Sequence, residues 1–231
     1  MKISELRKEY EEKKDRIKER LNQFNIFFRE PYSWFYENND INLRRVNSPE
    51  NVRIFEELCF CIFTANTSAE MSAKAVDSTR DVLFNGTKED IKNRLIGIYR
   101  FNNVRPSYIL HTRNYLIKTV KFALKKKIVS FNDKQKLRDF FAMNKDIKGL
   151  GMKESSHFLR NLGFKGYAIL DKHIINSLNE FAVFGSNARP KNRKEYLEME
   201  DKFREFSEHI GINVDELDLL LWSMKNGRIL K

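Results

Sequence analysis

Two side chains in this 231-residue sequence have the chemistry and the setting of a reactive pair. Lys153 falls in the first turn of a helical pattern that begins at Met152, and Asp171 stands just before IINSLNEF, where an N-cap belongs. A lysine in a first helical turn faces the positive end of the helix dipole, which disfavours its charged form. If it is also desolvated it becomes a neutral amine, the form a nucleophile requires. An N-cap aspartate has the opposite bias, because backbone donors hold it ionised. A nucleophilic amine beside a fixed carboxylate suits attack at a sugar C1′, whose transition state has oxocarbenium character. Lys165 and Lys172 lie near in sequence and are the rivals for the nucleophile.

The elements that must position this pair run from Ile147 to His173, IKGLGMKESSHFLRNLGFKGYAILDKH. Gly149-Leu150-Gly151 reads as a tight turn between two helical patterns, the first marked by Leu137, Phe140, Phe141 and Met143. Gly163 sits where the second helix should end. Helix, Gly-x-Gly hairpin, helix is a shape that grips DNA, because the hairpin and the following helix N-terminus aim backbone N–H groups at one phosphate. Taken alone, the hairpin is equally an ordinary helical corner; the added pair Lys153 and Asp171 favours the DNA reading.

Composition agrees with a polyanion partner. Lys and Arg number 43 against 32 Asp and Glu, a net charge of +11, with a pI near 9.5. Solubility alone is the competing explanation. No stretch approaches the roughly 20 apolar residues of a membrane span. The N-terminus is charged from Lys2 onward, so an intracellular protein, in the cytoplasm or nucleoid of a prokaryote, is expected. Cys59 and Cys61 are the only cysteines, too few for an iron–sulfur cluster, and no Cys/His zinc spacing exists; no metal is indicated.

Helical periodicity covers most of the remainder. Residues 2–24 form an amphipathic helix, followed by an aromatic stretch to Val46 read as an irregular connection. Ser48-Pro49 opens an apolar helix that ends at Thr64, and Ser68 caps the next one. Thr87 and Asp90 start a short helix, a long basic helix runs to about Lys127, and the helix after Asp171 runs to about Phe184. GSNARPKN is a basic loop with Arg189, Lys191 and Arg193 available to phosphates. Further helices are expected over 193–209 and from Asn213 to near Lys225. No strand-period alternation stands out. Asn66 falls on a helix–helix turn; it either tolerates the turn or supports the partner base that an extruded nucleotide orphans.

The hairpin with Lys153 and the Asp171-Lys172-His173 triplet resembles the helix-hairpin-helix–Gly/Pro–Asp superfamily of DNA glycosylases. The resemblance implies that Lys153 is a Schiff-base nucleophile, that Asp171 is the essential carboxylate, and that Asn66, Gly149, Gly151 and His173 contact DNA. Lys148 replaces the usual Pro before the first Gly and can add a phosphate contact. The pattern Arg100, Phe101, Arg105, Tyr108, Ile109 and the tail DELDLLLWSMKNGRILK are similar to the archaeal-type 8-oxoguanine DNA glycosylase/AP lyases. That likeness implies that Phe101 and Trp222 sandwich the damaged base and that Lys231 helps distinguish 8-oxoguanine from guanine. 8-Oxoguanine carries an N7–H donor that guanine lacks, and a terminal carboxylate would accept it; a site built around such a bond rejects the analogue. Asp218, one turn before Trp222, is a further candidate acceptor in the pocket.

The expected architecture is all-α, with two helical lobes flanking a cleft: 1–49 with 164–231 as a discontinuous lobe, and 50–163 ending in the helix-hairpin-helix. The expected function is a bifunctional glycosylase/AP lyase of base excision repair, acting as a monomer on duplex DNA with 8-oxoguanine opposite cytosine. No cofactor is required, and a monovalent cation at the hairpin stays open. A same-superfamily glycosylase for an oxidised pyrimidine and a non-catalytic DNA-binding module are the alternatives.

Overall fold

The computed structural model describes residues 2–185 and 188–231, so Ser186 and Asn187 of the basic loop lie outside it. The architecture is built around helix α2. Helix α1 spans Ile3–Arg29; strands β1 and β2 span Tyr32–Glu37 and Asp40–Arg45; α2 spans Glu50–Thr64. Every residue of α2 from Arg53 to Thr64 is buried, including Cys59 and Cys61. A helix that is apolar nearly all round belongs inside a protein. Around it pack α3 (Ala69–Thr79), α5 (Arg105–Val120), α6 (Leu124–Val129) and α8 (Met152–Asn161). Helix α4 (Lys88–Leu95) bridges α3 and α5, and α7 (Lys134–Ala142) lies on α8. The C-terminal part adds α9 (Lys172–Asn179), α10 (Arg193–Ile210) and α11 (Val214–Asn226); α1 packs on α11 through an amphipathic face carrying Leu6, Ile17, Phe24 and Phe27.

The aromatic stretch after α1 is not irregular. Tyr32–Glu37 and Asp40–Arg45 form an antiparallel hairpin, paired from Glu37 with Asp40 to Tyr32 with Arg45. Its two-residue turn, Asn38-Asn39, takes positive φ at both positions (52° and 61°), as a tight hairpin turn demands. Trp34 and Ile41 are buried, and Trp34 lies 5.7 Å from Phe24 and 6.2 Å from Phe27 between ring centroids. Helix α1 accordingly runs five residues past the expected Phe24, to Arg29.

Other departures are local. The long basic helix is two helices, broken at Lys121 and Phe122, which both take positive φ (50° and 57°). The break turns Phe122 inward against Phe55 and Phe84. Helix α9 stops at Asn179 instead of continuing to Phe184, and Ala182 turns the chain with φ 58°. Pro49 itself occupies the cap position of α2, without a side-chain cap bond, so Ser48 does not cap. The caps at Ser68, Thr87 with Asp90, Asp171 and Asn213 form as their sequence positions indicate.

Buried charge ties the C-terminal helices to the hairpin unit. Arg138 of α7 meets Glu200 of α10 through two bonds of 2.7 and 2.9 Å, both side chains out of solvent. Arg193 makes a bidentate pair with Asp139 at 2.8 Å on each arm, so it joins α10 to α7 and is not a free phosphate contact as its sequence context indicated. Among the described residues no helix is long and apolar enough to cross a membrane, and no group of three or more His, Cys, Asp or Glu could hold a metal ion.

Candidate active site

The turn between α7 and α8 is fixed by sterics. Gly149 takes φ +83°, and a Cβ there would lie 2.9 Å from the Tyr108 ring and 3.2 Å from an Ile62 methyl. Both the left-handed backbone and the close approach require glycine. The Lys148 N–H donates to Thr112 Oγ1 at 2.8 Å, docking the hairpin on α5. Gly151 needs no positive φ: at −106° it is the N-cap of α8, and its N–H donates to Glu154 Oε2 at 3.3 Å. Lys153 is the second residue of α8, and its side chain is 28% exposed, with Glu154 Oε1 3.5 Å from Nζ.

Asp171 caps α9 as expected. Its Oδ1 accepts from the N–H of His173 at 2.7 Å and of Ile174 at 2.8 Å, and the residue is 9% exposed. Two backbone donors fix one carboxylate oxygen, and the other makes no hydrogen bond among the described residues. Lys153 and Asp171 line the same cleft of about 710 Å³, together with Asn66, His173, Trp222 and Lys231. Lys172 also lines it, in an exposed position, whereas Lys165 lines a different cavity beside α1. The exposed Asn66 combines positive φ (64°) with a place on the cleft wall, so turn geometry and access to a ligand coincide in one residue. The Asn66 carbonyl accepts from Arg100 Nη2 at 2.6 Å. Trp222 stands 5.7 Å from the His173 ring.

Two expected pocket residues, Phe101 and Asp218, are not among those lining the cleft. The half-buried Phe101 ring is flanked by the Arg100 and Arg105 guanidinium groups at 4.4 and 5.4 Å and leans on Tyr99. Asp218 is buried and also outside the lining, 3.6 Å from Arg160 Nη1, with Oδ1 unpaired. Burial pushes its carboxyl up to about 7, against the pull of Arg160. Lys231 lines the cleft, but its ammonium is turned inward to Glu57 Oε2 at 2.5 Å.

Two residues of α8 that the sequence reading did not single out also reach the cleft. His157 and Arg160 follow Lys153 by one and two turns on the same face of α8, and both are buried. Burial drives the His157 imidazole well below the ordinary histidine range, and the nearby Arg160 and Lys153 charges add to the effect, so it is neutral. Its Nε2 has no hydrogen-bond partner among the described residues. The signal available in the sequence was the spacing from Lys153: four and seven residues on one helix.

A family profile described as 8-oxoguanine DNA glycosylase matches residues 36–212. The chain belongs to the 8-oxoguanine DNA glycosylase family. A relative from Korarchaeum cryptofilum, named 8-oxoguanine DNA glycosylase/AP lyase, is 37% identical over 179 residues, covering 77% of this chain and 82% of its own. One of the same name from Fusobacterium nucleatum is 32% identical over 232 residues, covering 99% and 97%. The crystal structure of the Methanocaldococcus jannaschii 8-oxoguanine glycosylase/lyase in complex with a 15mer DNA containing 8-oxoguanine superposes with a TM-score of 0.79 at 31% identity, over 97% of this chain and 98% of that one. In this member of the family the hairpin, Lys153 and Asp171 lie inside the matched span, while Trp222 and Lys231 lie beyond it.

Proposed function

We propose that the protein is a bifunctional DNA glycosylase/AP lyase of base excision repair that removes 8-oxoguanine from duplex DNA and nicks the strand 3′ to the resulting site. The observation that carries this reading is the placement of a primary amine, Lys153, and a carboxylate held by two backbone N–H groups, Asp171, in one cleft directly after a Gly149-Leu150-Gly151 hairpin. The hairpin N–H groups not already bonded to Thr112 and Glu154, with surrounding basic residues, hold a backbone phosphate. The lesion nucleotide is extruded into the cleft, where Trp222 stacks on it and Asn66 supports the opposite cytosine. The Lys153 amine forms a bond to C1′ as the C1′–N9 bond breaks, and the base leaves with the bonding pair and takes up a proton. Asp171 stabilises the positive charge that develops on the sugar. Opening of the ring and loss of the amine proton give an imine, which acidifies the C2′ proton. Its removal expels the 3′ phosphate by β-elimination, and hydrolysis of the imine frees Lys153. No step calls on a cofactor, and a monomer suffices because every group named comes from one chain.

Incubation with a duplex holding one 8-oxoguanine opposite cytosine, followed by borohydride, tests the reading. A covalent adduct on this duplex and on an abasic duplex, with none on undamaged DNA, is the expected result. An adduct on the abasic duplex alone would move the substrate to another lesion, and salt-sensitive binding with no adduct at all would leave only a DNA-binding module.

A further inference from the structure

A buried charge pair stands at the cleft wall, where Lys231 meets Glu57. Glu57 of α2 is 2% exposed; its Oε1 accepts from Asn161 Nδ2 of α8 at 2.6 Å, and its Oε2 takes the Lys231 ammonium at 2.5 Å. The ammonium lies 3.9 Å from the Phe60 ring centroid and 5.1 Å from that of Trp34, enclosed by α2 and the β-hairpin. Breaking such a pair is costly, yet an apolar replacement of both partners commonly serves stability as well or better. The pair therefore calls for an explanation other than stability.

Its position supplies one. After Gly227 ends α11 in a left-handed turn, no helix ladder holds the last residues. They are pinned by side chains: Arg228 bonds the Asn39 carbonyl and Glu70, Ile229 is buried, and Lys231 is anchored by Glu57. Lys231 lines the cleft with its ammonium drawn to Glu57, and its backbone lies beside the neutral His157. A backbone wall carries acceptor oxygens, the complement of the ring N–H groups of an oxidised purine.

Building on the function proposed above, we propose that Glu57 is a positioning residue, which fixes the backbone of Lys231 as the wall against which the extruded oxidised purine is seated. It touches neither the sugar nor the amine of Lys153, so its influence is confined to steps in which a base occupies the cleft. Preformed abasic DNA lacks that base and needs no such wall.

Two variants of the full chain test this: Glu57→Gln, which leaves the ammonium without its counter-charge, and Glu57→Asp, which keeps the charge but shortens its reach to the ammonium. Both are assayed after circular dichroism confirms folding. Excision of 8-oxoguanine is expected to fall about 100-fold, the penalty of a misplacement on the order of 1 Å, while borohydride trapping on abasic DNA stays near wild type. Equal falls in the two reactions would reduce Glu57 to a structural residue and overturn the proposal, as would excision at the wild-type rate in both variants. The wild-type protein run alongside separates the two levels. Trapping on abasic DNA without action on 8-oxoguanine removes the lesion assignment itself, whatever the variants do.

Discussion

Two of the lysines that line the cleft, Lys153 and Lys231, are held in opposite ways. Lys153 is 28% exposed and has only the loose neighbour Glu154 at 3.5 Å; Lys231 is 2% exposed and is locked to Glu57 at 2.5 Å. The first keeps its amine uncommitted in the folded protein, as a nucleophile must. The second has its ammonium consumed by a structural bond, so that what remains for the cleft is its backbone. Residue type alone gives both the same charge. Depth and partner decide which one is free to react.

The contrast is broken most sharply by removing each amine in turn. Lys153→Gln is expected to abolish strand cleavage and borohydride trapping, a loss above about 1000-fold, because the covalent route closes. The same change, at a partly exposed site without a tight partner, should move stability by no more than about 0.5 kcal/mol. Retained trapping by that variant would transfer the nucleophile to Lys172, which shares the cleft. Lys231→Met inverts the pattern. It leaves the Glu57 carboxylate buried without its counter-charge, held only by Asn161, and denaturant unfolding should show a loss of about 3–5 kcal/mol. A stability change below about 1 kcal/mol would mean that the buried Glu57 carboxylate is resolvated with little cost, and the two lysines would then differ less than their burial indicates.

Smaller effects sharpen the same distinction between groups committed to the fold and groups left for the reaction. Gly149→Ala puts a Cβ on a left-handed residue and 2.9 Å from Tyr108, so a loss of about 1–2 kcal/mol is expected in unfolding experiments. Its DNA affinity should weaken with it. Gly151→Ala, where φ is −106° and the nearest contact to a Cβ is 3.4 Å, should be milder on both counts. The smallest effect concerns Asp218. Its carboxyl rises from 3.8 unfolded to about 7 folded, so the folded protein holds that proton to higher pH. The stability this contributes is full below the unfolded value and is lost as pH rises towards 7, with no further change above. Asp218→Asn should flatten melting temperature against pH over that window; an unchanged slope would assign it to other groups.

The site's reactive edge was legible because its signals are local. A Gly-x-Gly turn, a lysine two positions into a helix and an aspartate at a cap are each defined by neighbours along the chain, and all three form as read. Residues whose meaning depends on distant partners were not legible. Glu57 sits in a helix whose apolar neighbours define a buried stripe, and its charge acquires a role only when Lys231, far along the sequence, arrives beside it. Phe101 matches a local pattern, yet Arg100 and Arg105 bracket its ring and keep it out of the cleft lining. The β-hairpin hid for another reason: in Tyr-Ser-Trp-Phe-Tyr-Glu aromatics fall on both faces, which erases the period of two. Its one clear local mark was Asn38-Asn39, a pair suited to a turn with positive φ at both positions. The break at Lys121 and Phe122 carries no comparable mark, because neither residue favours the left-handed region and packing against Phe55 and Phe84 imposes it.

Helix α2 also carries both cysteines of the chain, fully enclosed, with burial raising each thiol well above its ordinary range. Peroxide attacks thiolates that it can reach, and neither condition is met here. A protein whose proposed substrate accumulates under oxidative stress therefore keeps its own sulfhydryl groups protonated and out of contact with the oxidant, and folding alone supplies that protection.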